Sequence, residues 1–136
     1  MRRKLKIILD SMIFRTARHT NDLDPLIEFY TNILGLEILG SFKDHDNYDG
    51  VFLGKHGQDW HLEFTRSLTK ANHKFDADDI LVFYPDQASE YAKITERINF
   101  YGIEVIMPEN PYWRKNGIMI KDPDGYSIII SNQKAQ

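Results

Sequence analysis

The sequence predicts an α+β fold made of a duplicated βαβββ unit, whose two copies form one curved, cup-shaped mixed sheet. The first observation is a repeat of two short strings, GLEI at 35–38 with GIEV at 102–105, and DGVFL at 49–53 with NGIMI at 116–120. The second is that the glycines of the two strings stand 15 positions apart in both copies. Chance similarity between short apolar strings rarely preserves such a spacing, so the chain is expected to contain an internal duplication.

One helix and several strands are expected in each copy. Asp24 before Pro25 is typical of an N-cap and a first helical residue, and Gly35 is typical of the end of that helix. The second helix is predicted to begin after Pro85 and to end at Gly102. Runs rich in β-branched and aromatic residues predict eight strands around these helices. The turn signals between strands are Asp49-Gly50, Asn116-Gly117 and Asp124-Gly125.

Length and composition fit one ordinary domain, since the chain has 136 residues of which 42% are hydrophobic. We predict an N-terminal extension at 1–11 and a single domain at 12–136. Within the domain, the first unit is expected at about 12–66, a linker at 67–77 and the second unit at about 78–132. Met1 and Met12 both remain open as the start of the protein.

Charge and cysteine content argue against several classes of partner. The net charge is only -3, and the 17 lysines and arginines are spread along the chain, so no basic stripe for nucleic acid is expected. The apolar run at 5–9 is interrupted by Lys6 and is too short for a membrane span or a signal core. The absence of cysteine fits a reducing compartment, and we expect a cytoplasmic protein.

Four strings stand in order on this duplicated frame. They are N-D-L-D-P followed by F-Y (21–30), G-L-E-I (35–38), H-L-E-F-T (61–65) and D-P-D-G-Y (122–126). Together they resemble the vicinal-oxygen-chelate superfamily, which includes glyoxalase I, the bleomycin-resistance proteins and extradiol dioxygenases. The resemblance covers about residues 13–132. It implies a glyoxalase/bleomycin-resistance fold with a functional site in the cup.

The resemblance also implies where a metal would bind. Relatives place four ligands, on the first and last strands of two units, around a divalent zinc, nickel, manganese or iron ion. The corresponding positions here are Arg15, Glu63, a residue near Asp79, and Ile129. A guanidinium cannot coordinate a cation and isoleucine has no donor atom, so we expect no metal cofactor, with Glu63 as a weak candidate ligand. We expect Arg15 to occupy the metal position and to pair with Glu63 and Asp79.

Strand alternation predicts which side chains face the cup. The expected set is Arg15, Ala17, His19, His61, Glu63, Thr65, Asp79, Leu81, Phe83, Ser127, Ile129 and Ser131. Among them, Glu63, His61 and Arg15 are the candidate catalytic residues. His61 and Glu63, with His19, are consistent with a general acid/base pair, with a substitute metal site, or with a simple hydrogen-bonded pair.

Aromatic side chains supply the candidate ligand-binding surface, together with His19. They are Tyr48, Phe83, Tyr112 and Trp113. Tyr112 and Trp113 are read as a loop that either lines the mouth of the cup or forms a satellite hydrophobic cluster. On the first reading, Trp113→Ala would weaken ligand binding more than folding.

The polar segment 44–50 lacks the spacing of a calcium loop and is read as a hairpin. His73 is read as a solvated loop histidine.

Two functional hypotheses follow. In the first, the protein binds a small organic molecule in an aromatic-lined cup without a metal. In the second, it is a lyase, isomerase or dioxygenase-type enzyme of the same family, either metal-free or with a displaced metal site. Fold alone does not choose between them. Because one open sheet would leave strand edges exposed, a homodimer is expected, in a side-by-side or a swapped arrangement.

Overall fold

The structure, a computed structural model, describes residues 7–8 and 10–135, so most of the predicted extension at 1–11 lies outside the described residues. Seven strands and three helices follow one another along these described residues. They are β1 (Phe14–His19), α1 (Leu23–Asn32), β2 (Glu37–His45), β3 (Tyr48–Gly54), β4 (Trp60–Arg66), β5 (Ile80–Phe83), α2 (Ala88–Phe100), α3 (Pro111–Asn116), β6 (Gly117–Lys121) and β7 (Ser127–Ser131). The α+β class predicted from the sequence is confirmed.

The strands form one sheet in each unit. Unit one, β1 to β4, is a four-stranded sheet in the order β1-β4-β3-β2, and unit two, β5 to β7, is a three-stranded sheet in the order β5-β7-β6. In both units the first strand runs parallel to the last, and the hairpin partner of the last strand runs antiparallel to it. The duplication seen in the sequence is therefore a duplication of strand topology.

One continuous core joins the two units on the helix side of the sheets. Leu26 and Tyr30 of α1 and its C-cap residue Ile33 pack with apolar residues of both units, and Ile98 of α2 belongs to the same cluster. The sheet residues of this core are Val51, Leu53, Leu62, Phe64, Ile120, Ile128 and Ile130. These residues alternate along their strands, so the intervening side chains lie on the opposite face. We call that opposite face, in each unit, the cup face.

The predicted start of the first helix is wrong by two residues. Asp22, not Asp24, is the N-cap, and its side chain accepts a hydrogen bond from the backbone N–H of Asp24 at 3.2 Å. Pro25 then lies inside the first turn, where its missing N–H costs nothing. Gly35 and Gly102 follow their helices with φ of 68° and 64°, as expected for glycines that end helices.

The prediction of eight strands is also wrong, because unit two lacks a second strand. Within the described residues, its place is taken by an isolated bridge between Ile106 and Met119, followed by α3. The segment predicted as a loop at 110–113 begins this helix, with Asn110 as N-cap and Pro111 at the first turn. Pro108 and Pro111 have no N–H to offer to a sheet, which explains why pairing stops here.

The turn between β2 and β3 lies earlier than the predicted Asp49-Gly50. Asp46 and Asn47 form it, with φ of 52° and 69°, and both Asp49 and Gly50 are already within β3. Asn and Asp tolerate this left-handed backbone better than other side chains. No described helix has the length and apolar character needed to cross a membrane.

Candidate functional site

The cup face of unit one brings the sequence-predicted polar residues together. Arg15 is the partner of His61 across the parallel β1–β4 pair, and Glu63 comes two residues after His61. Paired positions in a sheet share a face, so Arg15, His61 and Glu63 lie on the same side. Their intervening neighbours Leu62 and Phe64 belong to the core on the other side.

Arg15 and Glu63 form an ion pair on this face. The Arg15 Nε lies 3.3 Å from Glu63 Oε1, and the exposed fractions of the two side chains are 53% and 13%. The guanidinium also lies over the Phe52 ring, 5.7 Å from its centroid. The pair predicted between Arg15 and Glu63 is thus present, although Arg15 is too exposed for the pair to be a buried one.

Aromatic rings form the floor of this face beside the ion pair. Phe52 contacts Phe42, with 5.9 Å between ring centroids, and meets the edge of His61 at 5.5 Å. Two glycines make room for these rings. A Cβ on Gly50 would overlap the Phe42 ring, and a Cβ on Gly40 would stand 3.2 Å from the Phe52 ring. The rings therefore lie low over the neighbouring strands and leave the face open.

His19 and Tyr48 lie at the edge of the same face. Their rings are 6.2 Å apart, and the Nε2 of His19 is 2.9 Å from the hydroxyl of Ser67. Tyr48 is exposed. The structure thus gathers five of the predicted site residues on unit one, namely Arg15, His19, Tyr48, His61 and Glu63.

The cup face of unit two carries different residues from those predicted. Ile80 pairs with Ser127 and Val82 with Ile129, and these four share the cup face. Leu81 and Phe83 pair with Ile128 and Ile130 and pack in the main core instead. Phe83 also meets Trp60, with ring centroids 6.0 Å apart. The expectation that Leu81 and Phe83 face the cup is therefore wrong.

Asp79 lines the same cleft as Glu63, but the expectation that it pairs with Arg15 is wrong. Arg15 pairs with His61 and Ile80 pairs with Ser127, so the equivalent of Arg15 in unit two is Ile80. The Asp79 carboxylate accepts a hydrogen bond from the backbone N–H of Asp76 at 2.9 Å, which closes a local turn. Among the described residues, Asp79 forms no ion pair with Arg15.

Trp113 fills the cup face of unit two. It is 8% exposed and packs in a second cluster with Met119 and Ile129. Its neighbour Tyr112 is half exposed and meets it edge to face at 4.8 Å. The packing of Trp113 agrees with the alternative of a satellite hydrophobic cluster, and not with a side chain that lines the mouth of the cup.

A cleft of about 290 Å³ separates the first strands of the two units. Ala17 and Glu63 line it from unit one, and Ile80 and Ser127 line it from unit two. Arg18, Asp79 and Tyr126 also line it. Glu63 therefore lies where the open cup face of unit one meets this cleft.

A buried polar network behind the cleft was missed by the sequence reasoning. Asp122 accepts hydrogen bonds from Arg18 at 2.6 Å and from the Tyr30 hydroxyl at 2.7 Å through one oxygen. Its other oxygen accepts from the backbone N–H groups of Asp124 and Tyr126. Arg18 also stacks on the Tyr126 ring, 3.6 Å from its centroid. The D-P-D-G-Y turn thus ties unit two to β1 and α1 of unit one.

Burial and charge shift the pKa values within this network. Burial raises the pKa of Tyr30 well above its ordinary value, and the Asp122 carboxylate raises it further, so the hydroxyl stays protonated and donates. Burial opposes the charge on Arg18, but attraction to Tyr30 and Asp122 leaves the pKa of Arg18 above its ordinary value. The network therefore joins one cation, Arg18, to the side chains of Asp122 and Asp124, which lie 2.6 Å and 3.6 Å from its Nη1.

His73 joins the same network from the linker. Its Nδ1 is 3.0 Å from the Tyr126 hydroxyl, and its ring meets that of Tyr126 at 5.2 Å. Its Nε2 lies 3.7 Å from Asp124 Oδ2. The reading of His73 as a solvated loop histidine is wrong, because the linker folds back onto the D-P-D-G-Y turn.

The residues at the family's metal positions do not fit a divalent ion. Glu63 is the one oxygen donor among Arg15, Glu63, Ile80 and Ile129, and it already faces a guanidinium. The described part of the chain contains no group of three or more His, Cys, Asp or Glu side chains placed to hold a metal. A divalent site needs several such donors around one point.

Comparison with known proteins places both halves of the chain in one group. Residues 14–65 match the model of the YycE-like N-terminal domain, and residues 78–132 match that of the YycE-like C-terminal domain. The YycE protein of Bacillus subtilis, described as uncharacterized, is 42% identical over 124 residues, which cover 88% of this chain and 87% of YycE. Its crystal structure matches with a TM-score of 0.81 at 40% identity, covering 91% of each chain. That structure is described as a protein of unknown function related to glyoxalase and fosfomycin-resistance proteins.

More distant structures share the fold. The fosfomycin-resistance protein FosX of Listeria monocytogenes, solved with Mn(II) and a dihydroxypropylphosphonic acid, is 20% identical with a TM-score of 0.66. The match covers 93% of this chain and 95% of FosX. The antibiotic-binding protein TnmS3 of a Streptomyces species is also 20% identical, with a TM-score of 0.62 and coverage of 92% and 98%. At such identities the likeness concerns the fold alone.

Proposed function

From the premise that this chain belongs to the YycE-like family of the vicinal-oxygen-chelate superfamily, we propose that it binds a small organic molecule on the cup face of unit one without a metal ion. The observation that carries the proposal is the Arg15–Glu63 ion pair at the family's metal position, beside an open aromatic floor. A guanidinium there supplies the positive charge that Glu63 would otherwise need from a metal.

The composition of this face suits ligand binding better than packing. Phe42 and Phe52 offer apolar area, while Arg15, His61 and Glu63 offer polar groups that fix the orientation of a ligand. Binding sites in proteins combine these two features. TnmS3, which has the same fold, is described as an antibiotic-binding protein, so the fold accommodates binding of this kind.

The proposal is tested by metal titration and by a ligand screen on the full chain. Zinc, nickel and manganese should each leave the melting temperature unchanged, because a metal that does not bind the native state cannot stabilise it. A library of small organic fragments, followed by ligand-observed NMR, should give binders that are lost in Phe52→Ala. The matched control is Phe100→Ala, which truncates an exposed ring on α2 and should bind as the unmodified chain does.

A stoichiometric divalent ion coordinated by Glu63 in the purified protein would contradict the metal-free proposal. It would favour the second candidate, a lyase, isomerase or dioxygenase-type enzyme. The observation that supports an enzyme is the placement of His61 and Glu63 on one face of the sheet. Side chains of these two types can act as general acid and general base towards a bound molecule. Each fragment that binds can be incubated with the protein and followed by NMR; conversion that Glu63→Gln abolishes would favour catalysis.

We also propose that the protein is a cytoplasmic homodimer. Strands β1 and β2 are the two edges of the unit-one sheet, and exposed apolar side chains, Phe14 and Ile38, lie on them. Exposed edges of this kind favour pairing with another chain. Sedimentation at micromolar concentration should show a mass of twice 16.0 kDa, and a single 16.0 kDa species would contradict the dimer.

A further inference from the structure

The cup face of unit two already holds an aromatic ring that belongs to the chain itself. The Trp113 indole packs on Met119 and Ile129, and it lies against Gly117, where a Cβ would stand 3.3 Å from a carbon of the indole ring. Through the internal repeat, the equivalents of Gly117, Met119 and Ile129 in unit one are Gly50, Phe52 and Glu63. Trp113 therefore shows how this type of sheet face receives a flat aromatic ring.

Unit one has the equivalent face without such an occupant. Its second and third strands are joined by the tight turn at Asp46 and Asn47, whereas unit two inserts α3 before β6. Phe42 covers Gly50 and the Arg15 side chain lies over Phe52 and beside Glu63, but the described part of unit one has no helix between β2 and β3. The cup face of unit two is thus covered by Trp113, whereas the described residues of unit one place no equivalent of Trp113 on its cup face.

The polar groups on the cup face of unit one indicate which charged group a bound aromatic ligand should have. The contact of Arg15 with Glu63 is through Nε, 3.3 Å from Oε1, and its two terminal nitrogens form no hydrogen bond with another described residue. These nitrogens, on a half-exposed guanidinium above Phe52, are suited to a carboxylate, which arginine binds through two parallel hydrogen bonds. A cationic ligand would instead face Arg15 directly and be repelled.

We propose that the cup face of unit one binds planar aromatic carboxylates, with the ring packed against Phe52 next to the Arg15 guanidinium and the carboxylate on Arg15. This inference rests on the proposed function and adds the class of ligand. It also sets the stoichiometry at one ligand per chain, because Trp113 fills the equivalent face of unit two.

Three probes separate the ring from the charge in calorimetric titrations of the full chain. They are 2-naphthoate, which has both features, 2-naphthalenemethanol, which lacks the charge, and cyclohexanecarboxylate, which lacks the planar ring. We expect 2-naphthoate to bind best, at one per chain, and about tenfold or more tightly than either of the others, the magnitude that one charge-assisted contact supplies. Arg15→Met should remove the advantage of 2-naphthoate over 2-naphthalenemethanol. Phe52→Leu should weaken both aromatic probes, and Phe100→Ala should change neither.

The outcomes distinguish failure of the inference from failure of the proposed function. Equal binding of 2-naphthoate and 2-naphthalenemethanol, or an advantage that survives in Arg15→Met, would overturn the carboxylate assignment while ligand binding stands. Two naphthoates per chain would overturn the role given to Trp113. Binding of other fragments but none of the three probes would overturn the inference alone. If nothing binds and sedimentation shows a dimer that Phe52→Glu dissociates, a second chain occupies the cup, and both proposals fail.

Discussion

The two units share one topology but use their cup faces in opposite ways. In unit two, Ile129 and Met119 are buried under Trp113, so the face contributes to the stability of the fold. In unit one, the equivalent positions are Glu63, whose side chain is 13% exposed, and the partly buried Phe52, both beside Arg15. A duplicated fold can thus use one copy for stability and leave the other for a ligand, and the difference arises from a few side chains and one short helix.

Truncation of Trp113 should give the largest effect on stability. We expect Trp113→Ala to cost about 3–5 kcal/mol, because it removes a buried indole and leaves a cavity over Ile129. In a domain of this size, that lowers the melting temperature by about 10 °C or more. Phe52→Ala, on the half-buried face of unit one, should cost clearly less in the same thermal unfolding experiment.

The cavity left by Trp113→Ala should accept the missing ring. Apolar cavities of this size bind small aromatic molecules, so free indole should raise the melting temperature of the variant more than that of the unmodified chain. A variant that unfolds at the ordinary temperature would contradict the core role of Trp113 and favour the earlier expectation of a ligand-binding role. A destabilised variant that indole does not stabilise would contradict the open cavity.

Removal of the Tyr30 hydroxyl should give an intermediate effect that depends on pH. Tyr30→Phe deletes a donor to the buried Asp122 carboxylate, and we expect a loss of about 1.5–3 kcal/mol at neutral pH. Because the folded pKa of Tyr30 is raised, its contribution is fully present below the unfolded pKa of about 10 and is lost as the pH rises towards the folded pKa. Urea unfolding at pH 7 and at about pH 11 should therefore show a smaller difference between the two proteins at the higher pH. An equal difference at both values would contradict this account.

Replacement of Arg15 should have the smallest effect on stability. The sequence alone predicts a cost of a few kcal/mol if the Arg15–Glu63 pair is buried, but Arg15 is 53% exposed, which reduces the expected cost of Arg15→Met to about 1 kcal/mol or less. The same substitution should strongly affect binding of an anionic ligand. A large loss of stability in urea unfolding would show that the guanidinium supports the fold and not the site.

The features that could be predicted from the sequence are the local and repeated ones. The two glycine-centred repeats predict the duplication, and alternation along β1 and β4 places Arg15, His61 and Glu63 on one face. Such patterns need only the period of a strand and the spacing between copies. The Arg15–Glu63 pair follows from them because the two strands are neighbours in the sheet.

The features that the sequence did not predict depend on long-range contacts or on which side chains of a strand face each side of the sheet. The linker before β5 has no periodic pattern, so only the pairing of Ile80 with Ser127 sets which side chains face the cup. The Arg18–Asp122 contact joins residues 104 positions apart, so no local sequence pattern could predict it. By contrast, Asn110 followed by Pro111 is typical of a helix start, so α3 could have been predicted from the sequence.

The most direct test of the account is a chemical-shift map of the full chain titrated with a bound fragment, such as 2-naphthoate. We predict that the backbone amide signals of Phe52, His61 and Glu63 shift progressively with the fragment, while those of Met119, Ile129 and Trp113 stay in place. This result would show that unit one holds the ligand and that unit two is filled by its own tryptophan. Shifts centred on Met119 and Ile129, with those of unit one unchanged, would contradict the account.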